Sequence, residues 1–209
     1  MKRIILYLTI LLTMTVVCGC SKSEINLDEV DMDTKCEVMI RKNSNENYMI
    51  IEDEVIHNNL LHLLRETISK EKIIISKNGR IPFCDDWQIK ISGMESEDFI
   101  ISFSTYYKDE YSDGGKSVMI IEKNKKIEYY YIVNNLYNFM PLARTNNRIF
   151  VAKVTQRKPL QVVSDYFETL ELQYDSLDDN IMEGSLVEVT LGKITETSTG
   201  LNAESVVKK

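Results

Sequence analysis

The chain has 209 residues, 44% of them hydrophobic, with eight glycines, three prolines and a formal net charge of −7. So large an apolar fraction with so little Gly and Pro excludes a disordered or low-complexity polymer. The acidic balance, 32 Asp and Glu against 25 Lys and Arg, argues against a nucleic-acid partner, because phosphate backbones are held by a basic face.

The first element reads as an export signal. Lys2 and Arg3 precede Ile4 to Val17, an uncharged run of 14 residues. As a helix that run would reach about 21 Å, short of the roughly 30 Å hydrocarbon core, which favours a cleaved signal over a permanent span. It closes on Val17-Cys18-Gly19-Cys20. This tetrad resembles the lipobox of bacterial prolipoproteins, in which an aliphatic residue and two small ones precede an obligatory cysteine. The resemblance implies a signal peptide over residues 1–19, cleavage after Gly19, and acyl chains such as palmitate carried by Cys20. It also implies a lipid-anchored protein of the cell membrane, on its extracytoplasmic face, with the bilayer as partner through Cys20. Cys18 does not fit the same role, since Val17 before it is too large. Loss of residues 1–19 removes Lys2 and Arg3 and no acid, which takes the net charge to about −9.

Residues 20–33 follow, with five acids and no clear period. They read as an acidic tether, a self-repelling coil with an end-to-end distance of roughly 20 Å. An α+β domain is expected over residues 34–140. Cys36 to Ile40 and Tyr48 to Ile51 read as strands. Asp53 can cap a helix running to about Ser69, with Ile56, Leu60, Leu63, Leu64 and Ile68 on one face. Strand patterns follow at Lys72 to Ser76, Trp87 to Ile91, Phe99 to Tyr107, Val118 to Glu122 and Ile127 to Tyr131. A short helix over Val133 to Met140 closes the unit, so the expected fold is an antiparallel sheet with one main packing helix.

Pro141 to Asn147 is a polar break and the expected boundary. Beyond it short strands are expected at Ile149 to Val154, Leu160 to Val163, Thr169 to Tyr174, Leu186 to Leu191, Lys193 to Thr197 and Ser205 to Val207. That spacing suggests a small all-β barrel over residues 148–209. The run Glu183-Gly184-Ser185-Leu186, continued by Gly192-Lys193-Ile194-Thr195-Glu196-Thr197, resembles the small OB-like barrels of uncharacterised Gram-positive lipoproteins. The resemblance covers the last third of the chain and carries no functional residues with it.

Chemistry-bearing residues are sparse. Cys36 and Cys84 remain once Cys18 and Cys20 are set aside. Export allows a disulfide between them, whose loop closure would contribute about 4 kcal/mol; the alternative is two buried thiols. His57 and His62 lie on one predicted helix, about 140° apart at 100° per residue, whereas a shared metal face needs a spacing of three or four. Acid clusters at Glu52-Asp53-Glu54, Asp85-Asp86, Asp109-Glu110 with Asp113, and Asp178-Asp179 lack calcium-loop spacing. Ser69-x-x-Lys72 and Ser205-x-x-Lys208 lack the companion motifs of penicillin-binding enzymes. Tyr106, Tyr107, Tyr111, Tyr129, Tyr130 and Tyr131 lie on strands that could pair. Alternation, though, sends Tyr129 and Tyr131 to one face and Tyr130 to the other.

No catalytic residue, cofactor or metal site is expected. The sequence therefore reads as a monomeric, non-enzymatic lipoprotein that binds or supports an envelope protein or glycan. The alternative is a lipoprotein hydrolase acting on wall or peptide substrates.

Overall fold

A computed structural model describes residues 36–69, 87–92, 99–107, 116–123, 126–132, 134–195 and 200–209. Six strands form an antiparallel sheet: β1 (Glu37–Arg41), β2 (Met49–Ile50), β3 (Trp87–Ser92), β4 (Phe99–Tyr107), β5 (Lys116–Lys123) and β6 (Lys126–Tyr131), in the order β2-β1-β3-β4-β5-β6. Period-two alternation places every second side chain on one face. Register then aligns Ile40, Ile89, Ile101 and Ile121 in one row across four strands, all buried. Cross-strand rows of branched side chains are what stabilise such a sheet, and each buried isoleucine contributes about 1.5–3 kcal/mol.

Helix α1 (Glu54–Ser69) covers that face. As the sequence suggested, Asp53 caps it: Oδ1 accepts from the backbone N–H groups of Val55 at 2.9 Å and Ile56 at 3.0 Å. Ile56, Leu60, Leu63 and Leu64 are fully buried, the stripe expected of a 3.6-residue period. Helix α2 (Asn134–Thr145) packs against α1. It does not stop at Met140 but continues through Pro141. Proline removes one N–H from a helix interior, yet Leu142 and Ala143 beyond it are buried in the core and hold the extra turn in place. The helix ends at Thr145, and Asn146 after it has a φ of 50°, the left-handed conformation favoured just past helix C-termini. The link to the next strand is thereby reduced to a few residues.

Five strands then close a barrel: β7 (Ile149–Arg157), β8 (Leu160–Val163), β9 (Leu170–Gln173), β10 (Leu186–Leu191) and β11 (Leu201–Lys208). Their circular order is β7-β8-β9-β11-β10, antiparallel except for β9 with β11. The α+β architecture with a small OB-like barrel is thus the observed one. Alternation fills the interior with Phe150, Ala152, Val154, Leu160, Val162, Leu172, Val187, Val189 and Leu191. Gly184, at φ 88°, turns the chain into β10 and donates its N–H to Val154 O at 2.8 Å; a side chain there would strain the turn.

Lys193 to Thr195 is not a strand, although Lys193 to Thr197 had that pattern. Its backbone is engaged by α1 instead. The amide of Asn59, fully buried, donates through Nδ2 to Gly192 O at 3.0 Å, and its Oδ1 accepts from Ile194 N at 2.9 Å. Buried side chains of sheet, helices and barrel accordingly form one continuous cluster from Cys36 to Val206.

Asn146 makes a second tie, with Oδ1 accepting from the N–H groups of Glu52 and Asp53, each at 3.0 Å. Asn146→Ala should lower stability by about 1–2 kcal/mol, because it removes this acceptor and leaves a Cβ residue without Asn's tolerance of positive φ. Urea denaturation checks it. Asn146→Gly, which restores the backbone freedom but not the acceptor, should recover only part of the loss; an unchanged midpoint for the alanine variant would contradict the assignment.

Candidate functional site

Cys20 and the rest of the lipobox lie outside the described residues, as do Cys84, Asp85, Asp86, Asp109, Glu110, Tyr111 and Asp113. Cys36, the other half of the disulfide considered above, is a buried free thiol just before β1. Its Sγ lies 3.8 Å from His57 Nε2, and the same nitrogen is 3.1 Å from the Cys36 carbonyl oxygen. A cysteine beside a histidine is the raw material of a nucleophilic dyad. Here burial pushes the thiol up, against smaller opposing effects from a backbone hydrogen bond and the charge of Arg65. A thiol held protonated is a poor nucleophile. When His57 donates through Nε2 to the carbonyl, that nitrogen has no lone pair left to accept the thiol proton. The pair therefore ties α1 to β1.

The other sequence candidates also carry structural duties. Glu54 pairs with Lys193 at the surface. Asp178 accepts weakly from Asn180 N at 3.4 Å, and Asp179 faces Arg157 at 3.8 Å. Ser69, at the end of α1, donates to Glu66 O at 2.7 Å. Tyr130 is buried and donates to Glu128 Oε2 at 2.6 Å, whereas Tyr129 and Tyr131 pack on the opposite face with Ile120 and Val118. The tyrosines divide as alternation required. Among the described residues no three His, Cys, Asp or Glu side chains converge as a metal-binding group.

A polar row on that opposite face was not foreseen. Arg41, Gln88 and Ser102 sit side by side on β1, β3 and β4. Arg41 Nε donates to Gln88 Oε1 at 2.7 Å, Tyr48 Oη donates to the same oxygen at 3.2 Å, and Gln88 Nε2 reaches Ser102 Oγ at 3.3 Å. The Arg41 guanidinium also lies 4.5 Å from the centre of the Tyr48 ring, a cation–π contact. Its members engage one another, which makes the row a clasp across the sheet.

Open surface with fixed walls lies on the barrel side. The loop joining β8 to β9 separates two clefts, of about 610 Å³ and about 510 Å³, that share Ser164, Asp165 and Tyr166. The larger is floored by the outer face of β7 and β10, where Ile149, Val151 and Leu186 are exposed beside Lys153 and Glu188. The smaller lies against Tyr137, Asn138 and Pro141 of α2 and ends at Glu168. The loop is held from inside: Phe167 is buried edge-on to Phe150 with ring centroids 5.5 Å apart, and Tyr166 N donates to Ser164 Oγ at 3.1 Å. Tyr166 consequently stands 56% exposed on a braced support. The strand and loop positions carry no periodic signal for such a site, which is why the sequence did not disclose it.

The fold and these clefts define an α+β protein whose barrel presents an aromatic loop between two recesses. No known protein family, curated protein or solved structure matches the chain.

His62 supplies a pH test of the packing beneath. Burial holds it below its ordinary value of 6.5, with Glu66 pulling the other way and Arg65 adding slightly to the depression. A histidine depressed in the folded state is protonated first in the unfolded chain. Its contribution is full above about 6.5 and declines as pH falls toward the folded value, by an amount that solvent at this half-buried position keeps small. His62→Gln should flatten the decline in urea midpoint between about pH 7 and pH 5. An unchanged slope would mean that another group controls it.

Proposed function

We propose that this chain is a lipoprotein whose folded head binds an envelope component outside the cytoplasmic membrane. The observation that carries the reading is the tetrad Val17-Cys18-Gly19-Cys20, placed directly after Lys2-Arg3 and 14 uncharged residues. On this reading residues 1–19 are removed and Cys20 carries the acyl chains. Residues 20–33 then stand the head off the surface, repelled by their own acids and by anionic headgroups. Two acyl chains hold a protein stably where one would not, at about 0.8 kcal/mol for each buried methylene. No helix among the described residues is long and apolar enough to cross a membrane.

Support for binding comes from the clefts. Their walls belong to a helix and barrel strands packed into one core, and their central tyrosine is exposed on a loop anchored by Phe167. Rigid support of an aromatic group is what recognition requires, since little order remains to be acquired on binding. The bound component is an envelope protein or glycan; nucleic acid is disfavoured by charge.

Mass spectrometry of the membrane fraction tests the anchor. The mature chain should begin at Cys20 bearing a diacylglycerol thioether, and Cys20→Ala should accumulate as an uncleaved, unlipidated precursor. A mature chain with an unmodified Cys20 would overturn the reading.

A further inference from the structure

Charge and shape in the two clefts narrow what they hold. The cleft against α2 is lined by Asp165 and Glu168 and, among the described residues, by no lysine, arginine or histidine. Tyr137 and Tyr166 stand in the same lining. Carboxylates beside aromatic rings attract a cation twice over, through charge and through the negative faces of the rings. The adjoining cleft supplies a different surface: Ile149, Val151 and Leu186 are 45%, 42% and 52% exposed on the barrel exterior. Their arrangement follows from register, because Val151 lies opposite Glu188 and Lys153 opposite Leu186 on β7 and β10. Exposed aliphatic side chains of this kind, edged by polar groups, fit the aliphatic side chains of a protein.

The two clefts adjoin across the β8–β9 loop and share Ser164, Asp165 and Tyr166, so one extended occupant crossing over Tyr166 would satisfy both. We infer that the recess docks an extended, basic segment of a partner protein, with a lysine or arginine between Tyr166, Asp165 and Glu168 and an aliphatic residue over Val151 and Leu186. This deepens the binding role proposed above and rests on it for its setting. A glycan would match the tyrosines but leave the three aliphatic residues uncovered by anything apolar of similar shape. A second copy of this chain is disfavoured electrostatically. An isologous contact would bring Asp165, Glu168 and Glu188 against the same three carboxylates, with Lys153 as the only basic residue of the lining among the described residues on each side.

The test uses the full chain, purified in non-ionic detergent, and fluorescein-labelled peptides of sequence Ser-Arg-Ser-Leu-Ser-Arg-Ser-Leu-Ser, with Glu or Gln replacing Arg in two controls. Anisotropy should show the Arg peptide binding best at low salt. The doubly reversed variant Asp165→Lys/Glu168→Lys should weaken it by about tenfold or more, and Tyr166→Ala by about threefold. All three residues are on the surface, and circular dichroism confirms folding. The double variant Glu171→Lys/Asp175→Lys makes the same charge change at exposed positions outside the recess and should leave binding within about twofold. Several results would overturn the inference: no binding of the Arg peptide, equal binding of the Glu or Gln peptide, or equal loss in both double variants. So would a soluble wall glycan protecting the same residues, or a dimer in sedimentation that Val151→Lys abolishes. Peptide binding in detergent does not require acylation, so failure here would leave the anchoring test unaffected.

Discussion

The placement of the barrel depends on one buried amide. Asn59 projects from the middle of α1 with no exposed surface, and both ends of its side chain bond the backbone that leaves β10. An unpaired buried amide or carbonyl would cost about 1–3 kcal/mol, so the segment Gly192 to Ile194 is fixed wherever Asn59 is fixed. Asn59 in turn is fixed by the stripe of Ile56, Leu60, Leu63 and Leu64 that seats α1 on the sheet. The exposed Glu54–Lys193 pair lies at the same junction but adds little, because solvent screens it. Burial decides between the two contacts. The amide sets the geometry, and the ion pair decorates it.

From that junction the recess acquires its walls. Helix α2 packs on α1, and after Asn146 the chain enters β7 with almost no slack. The barrel closes through β10, the strand whose exit Asn59 holds. The α2 wall and the β7–β10 floor are thus referred to the same helix. Tyr166 stands between them on a loop anchored by Phe167. The polar groups that sequence inspection first singles out are mostly consumed in holding this frame: Asp53 as a cap, His57 against Cys36, Glu54 on Lys193.

Short-range signals were legible in the sequence, and long-range claims on the backbone were not. The α1 stripe and its Asp53 cap could be read because both lie within one element and follow its period. So could the division of Tyr129, Tyr130 and Tyr131, which depends only on alternation. Lys193 to Thr197 carried a strand pattern, but Ile194 gives its N–H to a side chain 135 residues away, and no local rule can anticipate that. Pro141 to Asn147 has the composition of a polar break, whereas the burial of Leu142 and Ala143 carries the helix on to Thr145. β11 begins at Leu201, earlier than Ser205, because pairing with β9 and β10 substitutes for the apolar alternation that Asn202, Ala203 and Glu204 lack. The clefts are illegible for the same reason: Tyr166 meets Tyr137 in one lining and Val151 and Leu186 in the other only after the barrel closes.

Hydrogen exchange at the Ile194 amide measures the junction most directly. Ile194 belongs to no strand or helix, so a loop held only by its neighbours would exchange this proton quickly. Capture by a buried side chain should instead protect it about as well as the amides of β10, with protection lost in Asn59→Ala while the Leu63 amide within α1 stays protected. Rapid exchange at Ile194 in the wild-type protein, or protection unaffected by Asn59→Ala, would contradict the claim that this asparagine sets the barrel on the sheet.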